Sequence, residues 1–312
     1  MCSFTNTRLR KLLHFAHIIN PVKVRESSDL YHAQPITFAS MLEAKKQANS
    51  ICKVSLYTTQ YEEDKDVIPA GFEILNNLQQ SVLDINPELK GKKLPLIADI
   101  LKMLEHNTTA KYLIYTNADI GLMPYFYEYV ANQIQKGHDA IVINRRRLLS
   151  HHKKVEDLPL IYADLGASHP GFDCFIFTRE LLQKFILAEI CVGVPFIGVT
   201  LVHNIFSFAD NALFVPNQHL TFHLGVNVLA SRSNAFYKHN RSEFFTKVQP
   251  VLKPYFKIEK FPYAALPFPK RALKWMLNPS LFTKNYLELE GKSFVQKCKT
   301  KLDEIRWRLL QK

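Results

Sequence analysis

Apolar and polar positions along the chain fall into blocks of two kinds. Short apolar runs rich in β-branched and aromatic residues read as buried strands: Phe15 to Ile19, Ile51 to Tyr57, Tyr112 to Tyr115, His138 to Asn144 and Phe172 to Thr178. Between them lie stretches in which apolar residues recur every three or four positions. Leu94 to Glu105 is the clearest, with Ile97, Ile100, Leu101 and Leu104 on one helical face. Pro35 starts a second helix, running to Asn49, with Phe38, Met41 and Leu42 on its buried side. Some helix is expected around Phe72 to Val82, and more over residues 124–136, 179–187 and the second half of 195–208. Leu213 to Pro216 and His219 to Leu224 read as short strands, and residues 145–170 as one long polar loop. Strands alternating with helices predict an α/β fold with a mostly parallel sheet.

The run from Tyr112 breaks off at Thr116-Asn117-Ala118-Asp119, and Pro124 then opens a helical pattern. A buried strand that ends this way delivers polar side chains to the carboxyl edge of the sheet, where ligands bind in open α/β folds. Asp119 offers a full charge and a hard oxygen suited to a divalent cation, while Asn117 offers a neutral carbonyl oxygen. The same pair would also serve as a turn cap. Downstream, His219 and His223 lie on an apolar run that precedes Gly225, where the missing side chain would allow close backbone approach. Asp173 enters an otherwise apolar strand. Burial of an unpaired carboxylate is costly, so it is either a base or a carboxylate paired with Arg or His. Arg145, Arg146 and Arg147 follow a strand end and suit a diphosphate or another anion. Asn20 and the loop with Tyr61, Glu62 and Asp64 stand at the ends of the first two strands. Tyr61 is placed to stack on a base.

A hydrophobic strand running into Asn117-Ala118-Asp119, the pattern Gly171-x-Asp173-x-Phe175-x-Phe177, Phe196-Ile197-Gly198 and the late His223 together resemble a glycosyltransferase of the GT-A fold, over roughly residues 12–226. Asn117 stands where the strict pattern has Asp, and His203-Asn204 where relatives have Asp-Asn. The resemblance implies a GT-A-like (Rossmann-like) domain over 1–226, followed by a basic, mainly helical extension over 227–312. It implies transfer of a sugar from a nucleoside diphosphate to an acceptor hydroxyl on a glycan or lipid-linked acceptor. Asp119 and His223 would hold Mn²⁺ or Mg²⁺. Asn20, Asn117, Arg145 and Arg146 would bind substrate, and Asp173 would be the catalytic base. A nucleotidyltransferase or an inactive nucleotide-sugar-binding relative fits the same fold.

Charge adds a second feature. Residues 1–225 hold 22 Lys/Arg and 22 Asp/Glu, whereas the other 87 hold 18 and 6 and so carry the whole net charge of +12. Such a tail favours anionic partners, among them an anionic membrane surface. Nucleic-acid binding through the tail is the alternative of another class, but 227–312 contains no recognised nucleic-acid motif. Helices are expected there from Ser242, over Arg271 to Leu281 and over Val295 to Leu310. Five scattered cysteines without a CxxC pair read as free thiols in a reducing compartment. No stretch approaches the roughly 18 apolar residues of a membrane span, so a cytoplasmic protein, at most peripheral at the inner face of the membrane, is expected. There is no GxGxxG, P-loop, GxSxG or HExxH, which argues against dehydrogenase, NTPase, serine hydrolase and zinc protease chemistry.

Overall fold

A computed structural model describes residues 12–148, 152–169, 171–224 and 235–277. The strands, in chain order, are β1 Leu13–Ile19, β2 Cys52–Thr58, β3 Glu73–Ile74, β4 Tyr112–Thr116, β5 Gly121–Leu122, β6 Ala140–Ile143, β7 Arg146–Leu148, β8 Ala167–Ser168, β9 Cys174–Thr178, β10 Ala212–Val215 and β11 Thr221–Leu224. Seven of them form a sheet in the order β10-β6-β9-β4-β1-β2-β3. It is parallel except at β9, which runs antiparallel to both β4 and β6. Four short strands make a second sheet, β5-β11-β7-β8.

The expected α/β architecture with a mostly parallel sheet flanked by helices is present. β4 and β6 are buried throughout because helices cover both faces, which is why they read as continuous apolar runs. The helix Ile97–Asn107 buries Ile97, Ile100, Leu101 and Leu104, the face its periodicity predicted. Its last turn is tied down by Arg179, whose guanidinium donates to the carbonyls of Glu105, Thr108 and Ala110. Phe15, Val54, Leu56, Ile114, Phe126, Val130 and Ile141 belong to one apolar core between the sheet and the helices Asp29–Gln47 and Phe126–Gln135.

Several local expectations are corrected. The second helix begins at Asp29, and Pro35 lies inside it. Residues 72–81 are not helical: Glu73–Ile74 pairs with β2, and a short helix begins only at Val82, running to Ile85. The stretch 145–170 is not all loop, since it supplies β7, the helix Leu158–Ala163 and β8. The helix expected over 179–187 stops at Leu182. Ser242 caps nothing, because it sits inside the helix Ala235–Glu243, which runs on through a π-helical turn at Phe244–Val248.

The chain up to Phe256 forms one compact unit, and the chain from Lys257 a second. Within the first, Asn240 ties the late helix to the body: its carbonyl accepts from the Cys191 N–H, and its amide donates to the carbonyls of Cys191 and Pro195. In the second, the helix Phe268–Leu277 buries Trp275, whose indole donates to the Pro262 carbonyl at 2.8 Å. The boundary expected at 226/227, Gly225 and the helix expected over 295–310 lie outside the described residues. Among the described cysteines, Cys52, Cys174 and Cys191 are free and buried. No helix among the described residues is long and apolar enough to cross a membrane.

Candidate active site

The site grows from the end of β4. Tyr115 is buried, and its hydroxyl donates to Oδ1 of Asn117 at 2.8 Å. The chain turns there, with the Ile120 N–H donating to the Asn117 carbonyl. It then enters β5, which pairs antiparallel with β11 by setting Gly121 opposite Phe222. A side chain at Gly121 would run into the Phe222 ring, so only glycine lets the two strands close. This closure brings Asp119, just before β5, against His223 in β11. Oδ2 of Asp119 and Nε2 of His223 are 3.0 Å apart, across 104 residues of sequence.

Burial pushes the Asp119 carboxyl up, but the hydrogen bond and charge of His223, helped by Arg145, outweigh it and hold the carboxyl below its ordinary range. Asp119 Oδ1 and His223 Nδ1 are both buried without a hydrogen-bond partner. Among the described residues no group of three or more His, Cys, Asp or Glu gathers closely enough to hold a metal. A carboxylate beside an imidazole is the donor type that suits Mn²⁺, with Mg²⁺ also compatible.

A second pair lies alongside. The β6–β9 register sets Ile143 opposite Cys174, so Arg145 and Asp173 emerge at neighbouring strand ends. Both are buried, and the Arg145 guanidinium donates to Asp173 Oδ1. Asp173 Oδ2 receives one long contact, 3.5 Å from the Arg145 backbone N–H. Of the two roles the sequence leaves open for Asp173, the pairing with arginine is the one seen. Burial nevertheless pushes its carboxyl up, against the pull of Arg145. Breaking such a pair from one side would leave a buried charge uncompensated.

His169 completes the cluster. Burial, with the charges of Arg145, Arg147 and His223, lowers its pKa to about 3, so the imidazole is neutral. Asn144, fully buried, knits the surrounding segments together: its N–H donates to the Val215 carbonyl, its amide to the His169 carbonyl, and its own carbonyl accepts from Thr221 Oγ1. Sequence reasoning passed over Tyr115, Asn144 and His169. The signal for Asn144 was available, since it directly follows an apolar strand and precedes three arginines.

The remaining candidates serve other contacts. Arg146 bridges loops, its guanidinium donating to the carbonyls of Leu165 and Gly166 and to Asn217. Asn20 donates to the Thr59 carbonyl at 2.7 Å and so ties the ends of β1 and β2. Tyr61 is buried, donates to the Gln80 carbonyl, and has Lys93 over its ring, so that face is closed to a base. Asp64 accepts from the Lys23 N–H, and Glu62 accepts from Asn77. The His219 carbonyl accepts from Tyr125. Asn204 is buried and joined to the backbone of Ile186 and Thr200.

No family model matches the sequence, and no curated protein does. Among solved structures, the chain is similar to glucosyl-3-phosphoglycerate synthase from Mycobacterium tuberculosis in complex with Mn²⁺, uridine diphosphate and phosphoglyceric acid. Identity is 14% and the TM-score 0.45, covering 75% of this chain and 78% of that one. It is also similar to S. aureus TarS 1-349 in complex with UDP-GlcNAc, at 8% identity and a TM-score of 0.46, covering 84% and 78%. Both likenesses are at low identity. With TM-scores below 0.5 they decide nothing about the chemistry, which has to come from the site.

Proposed function

We propose that the protein is a glycosyltransferase that moves a sugar from a nucleoside-diphosphate donor to an acceptor hydroxyl. The observation that carries this reading is the meeting of Asp119 with His223 at the carboxyl edge of the sheet, with a buried carboxylate oxygen left without a partner. Asp119 and His223 would hold a divalent cation, Mn²⁺ or Mg²⁺. When bound, such an ion neutralises the charge that develops on the leaving nucleoside diphosphate.

The other residues then take the following parts. Tyr115 fixes Asn117 through its carbonyl oxygen, which leaves the Asn117 amide N–H groups to donate to the donor. Asp173 is the base candidate. Arg145 holds Oδ1 and so orients the carboxyl, while Oδ2, with only a long contact, takes the proton of the acceptor hydroxyl. Burial raises the carboxyl in the direction that a base working near neutral pH requires. The acceptor is a glycan or lipid-linked hydroxyl, and the basic chain beyond residue 226 suits an acceptor at an anionic membrane surface.

A thermal-shift panel of UDP, GDP and CDP, each with and without Mn²⁺, tests the reading. One nucleotide should stabilise the protein only when Mn²⁺ is present, by about 2.7 kcal/mol at a hundredfold excess over Kd. Asp119→Ala should abolish that metal-dependent gain. If no nucleotide stabilises the protein, the reading is wrong.

A further inference from the structure

The three consecutive arginines after β6 have three different fates. Arg145 is buried against Asp173. Arg146 is engaged by two backbone carbonyls and Asn217. Arg147 is exposed, and its side chain makes no hydrogen bond or ion pair among the described residues. Its backbone is nevertheless fixed on both sides. In the small sheet Arg147 pairs with His223 of β11 on one side and with Ala167 of β8 on the other. Laterally paired residues project from the same face of a sheet, so Arg147 leaves the sheet on the face that carries His223. The neighbouring positions confirm the alternation: Leu148, Phe222 and Leu224 belong to one apolar cluster. The charge of Arg147 is also felt at His169, together with those of Arg145 and His223.

We propose that Arg147 is the oxyanion-binding cation of this site and holds a phosphate group of the ligand. Asp173 already answers Arg145, and Asp119 is the carboxylate offered to a cation, so among the described residues Arg147 is the arginine of this cluster left unmatched. A guanidinium carries parallel N–H donors that match two oxygens of a phosphate, and here none of them is engaged elsewhere. A rigid strand behind a free side chain lowers the ordering cost of binding. This chemistry has two sources, the diphosphate of a donor and a phosphate on the acceptor. The inference rests on the reading of the site given above, and it narrows the anion contact from the three arginines to Arg147.

The test uses the full chain and Arg147→Gln, with Arg147→Lys as the conservative partner. Three titrations are made: inorganic pyrophosphate without metal, the stabilising nucleoside diphosphate with Mn²⁺, and inorganic phosphate with that nucleotide saturating. The unliganded melting temperature of Arg147→Gln should match the parent, because the side chain is exposed and unpaired. Affinity should fall on the order of tenfold in at least one arm, and Arg147→Lys should recover part of it. A fall for pyrophosphate and nucleotide assigns the residue to the donor. A fall only for phosphate with nucleotide bound assigns it to the acceptor. If the parent and Arg147→Gln bind alike in all arms, or if the parent binds none of the three probes, the proposal is overturned. Failure of the wider reading looks different. Metal-dependent nucleotide binding would then be absent, while pyrophosphate binding would still depend on Arg147.

Discussion

His17 makes a quantitative demand on the fold. It is fully buried in β1, with Nδ1 2.8 Å from the Tyr127 hydroxyl and Nε2 2.9 Å from Thr116 Oγ1. A hydroxyl can donate or accept, so either neutral tautomer is satisfied, and nothing there compensates a proton. Burial lowers the pKa from 6.5 to about 3. The sign follows from linkage: between pH 6.5 and 3 the unfolded chain takes up a proton at His17 that the folded chain refuses, so stability falls as pH falls. At pH 5 the loss from this one group is about 2 kcal/mol, at about 1.4 kcal/mol per unit. His169, lowered to about 3, and His203, lowered to about 4, add their own slopes, so the parent alone cannot isolate the effect. The informative quantity is the difference between parent and His17→Gln in urea unfolding at pH 7.5, 6.5, 5.5 and 5. The variant should lose stability at pH 7.5, because two buried hydroxyls lose their designed partner, and the gap should narrow by about 2 kcal/mol by pH 5. A gap that stays constant across this range would show that His17 is protonated in the folded state, and the account of the β1–β4 junction would be wrong.

Two further outcomes are expected from packing. Arg145→Met strands the Asp173 carboxyl and should cost about 3–5 kcal/mol in urea unfolding, while adding Asp173→Leu should recover much of it; equal losses in the single and double variants would deny that the pair is coupled. Gly198→Ala should cost about 1–3 kcal/mol, because the new methyl group would lie 2.6 Å from the Phe172 carbonyl oxygen and the helix Ile197–Phe208 would have to shift. A midpoint equal to the parent's would rule that contact out.

The large sheet was legible where burial dictates sequence. β4, β6 and β9 are apolar runs buried throughout, β1 and β2 are largely so, and Ile97–Asn107 declares its period over three turns. The direction of β9 was not legible, since an apolar run reads the same whichever way it lies. β5, β7 and β8 have two or three residues each, too few to display a period of two, so the small sheet was hidden in what looked like loop. Pro35 misled because a proline inside a helix carries the same local sign as one at its start. The Asp119–His223 contact was implied by the family resemblance, not by periodicity or spacing. The separate fates of Arg145, Arg146 and Arg147 were not, because they depend on which partners three different loops bring: Asp173, Gly166 and Asn217.

The long sequence separation of that contact has a consequence for how the protein is made. Residues Asp119 and His223 meet only after β11 has left the ribosome, and at about 5–20 residues per second the first waits for the second for roughly 5–20 s. During that interval β5 has no partner strand, since its pairing is with β11. A chain stalled before Thr221 could assemble β1, β2 and β4 but would lack the small-sheet strand that brings His223 to Asp119. If the proposed function holds, acquisition of Mn²⁺-dependent nucleotide binding would mark one of the latest folding events, and its rate would report on closure of the β5–β11 pair rather than on collapse of the core.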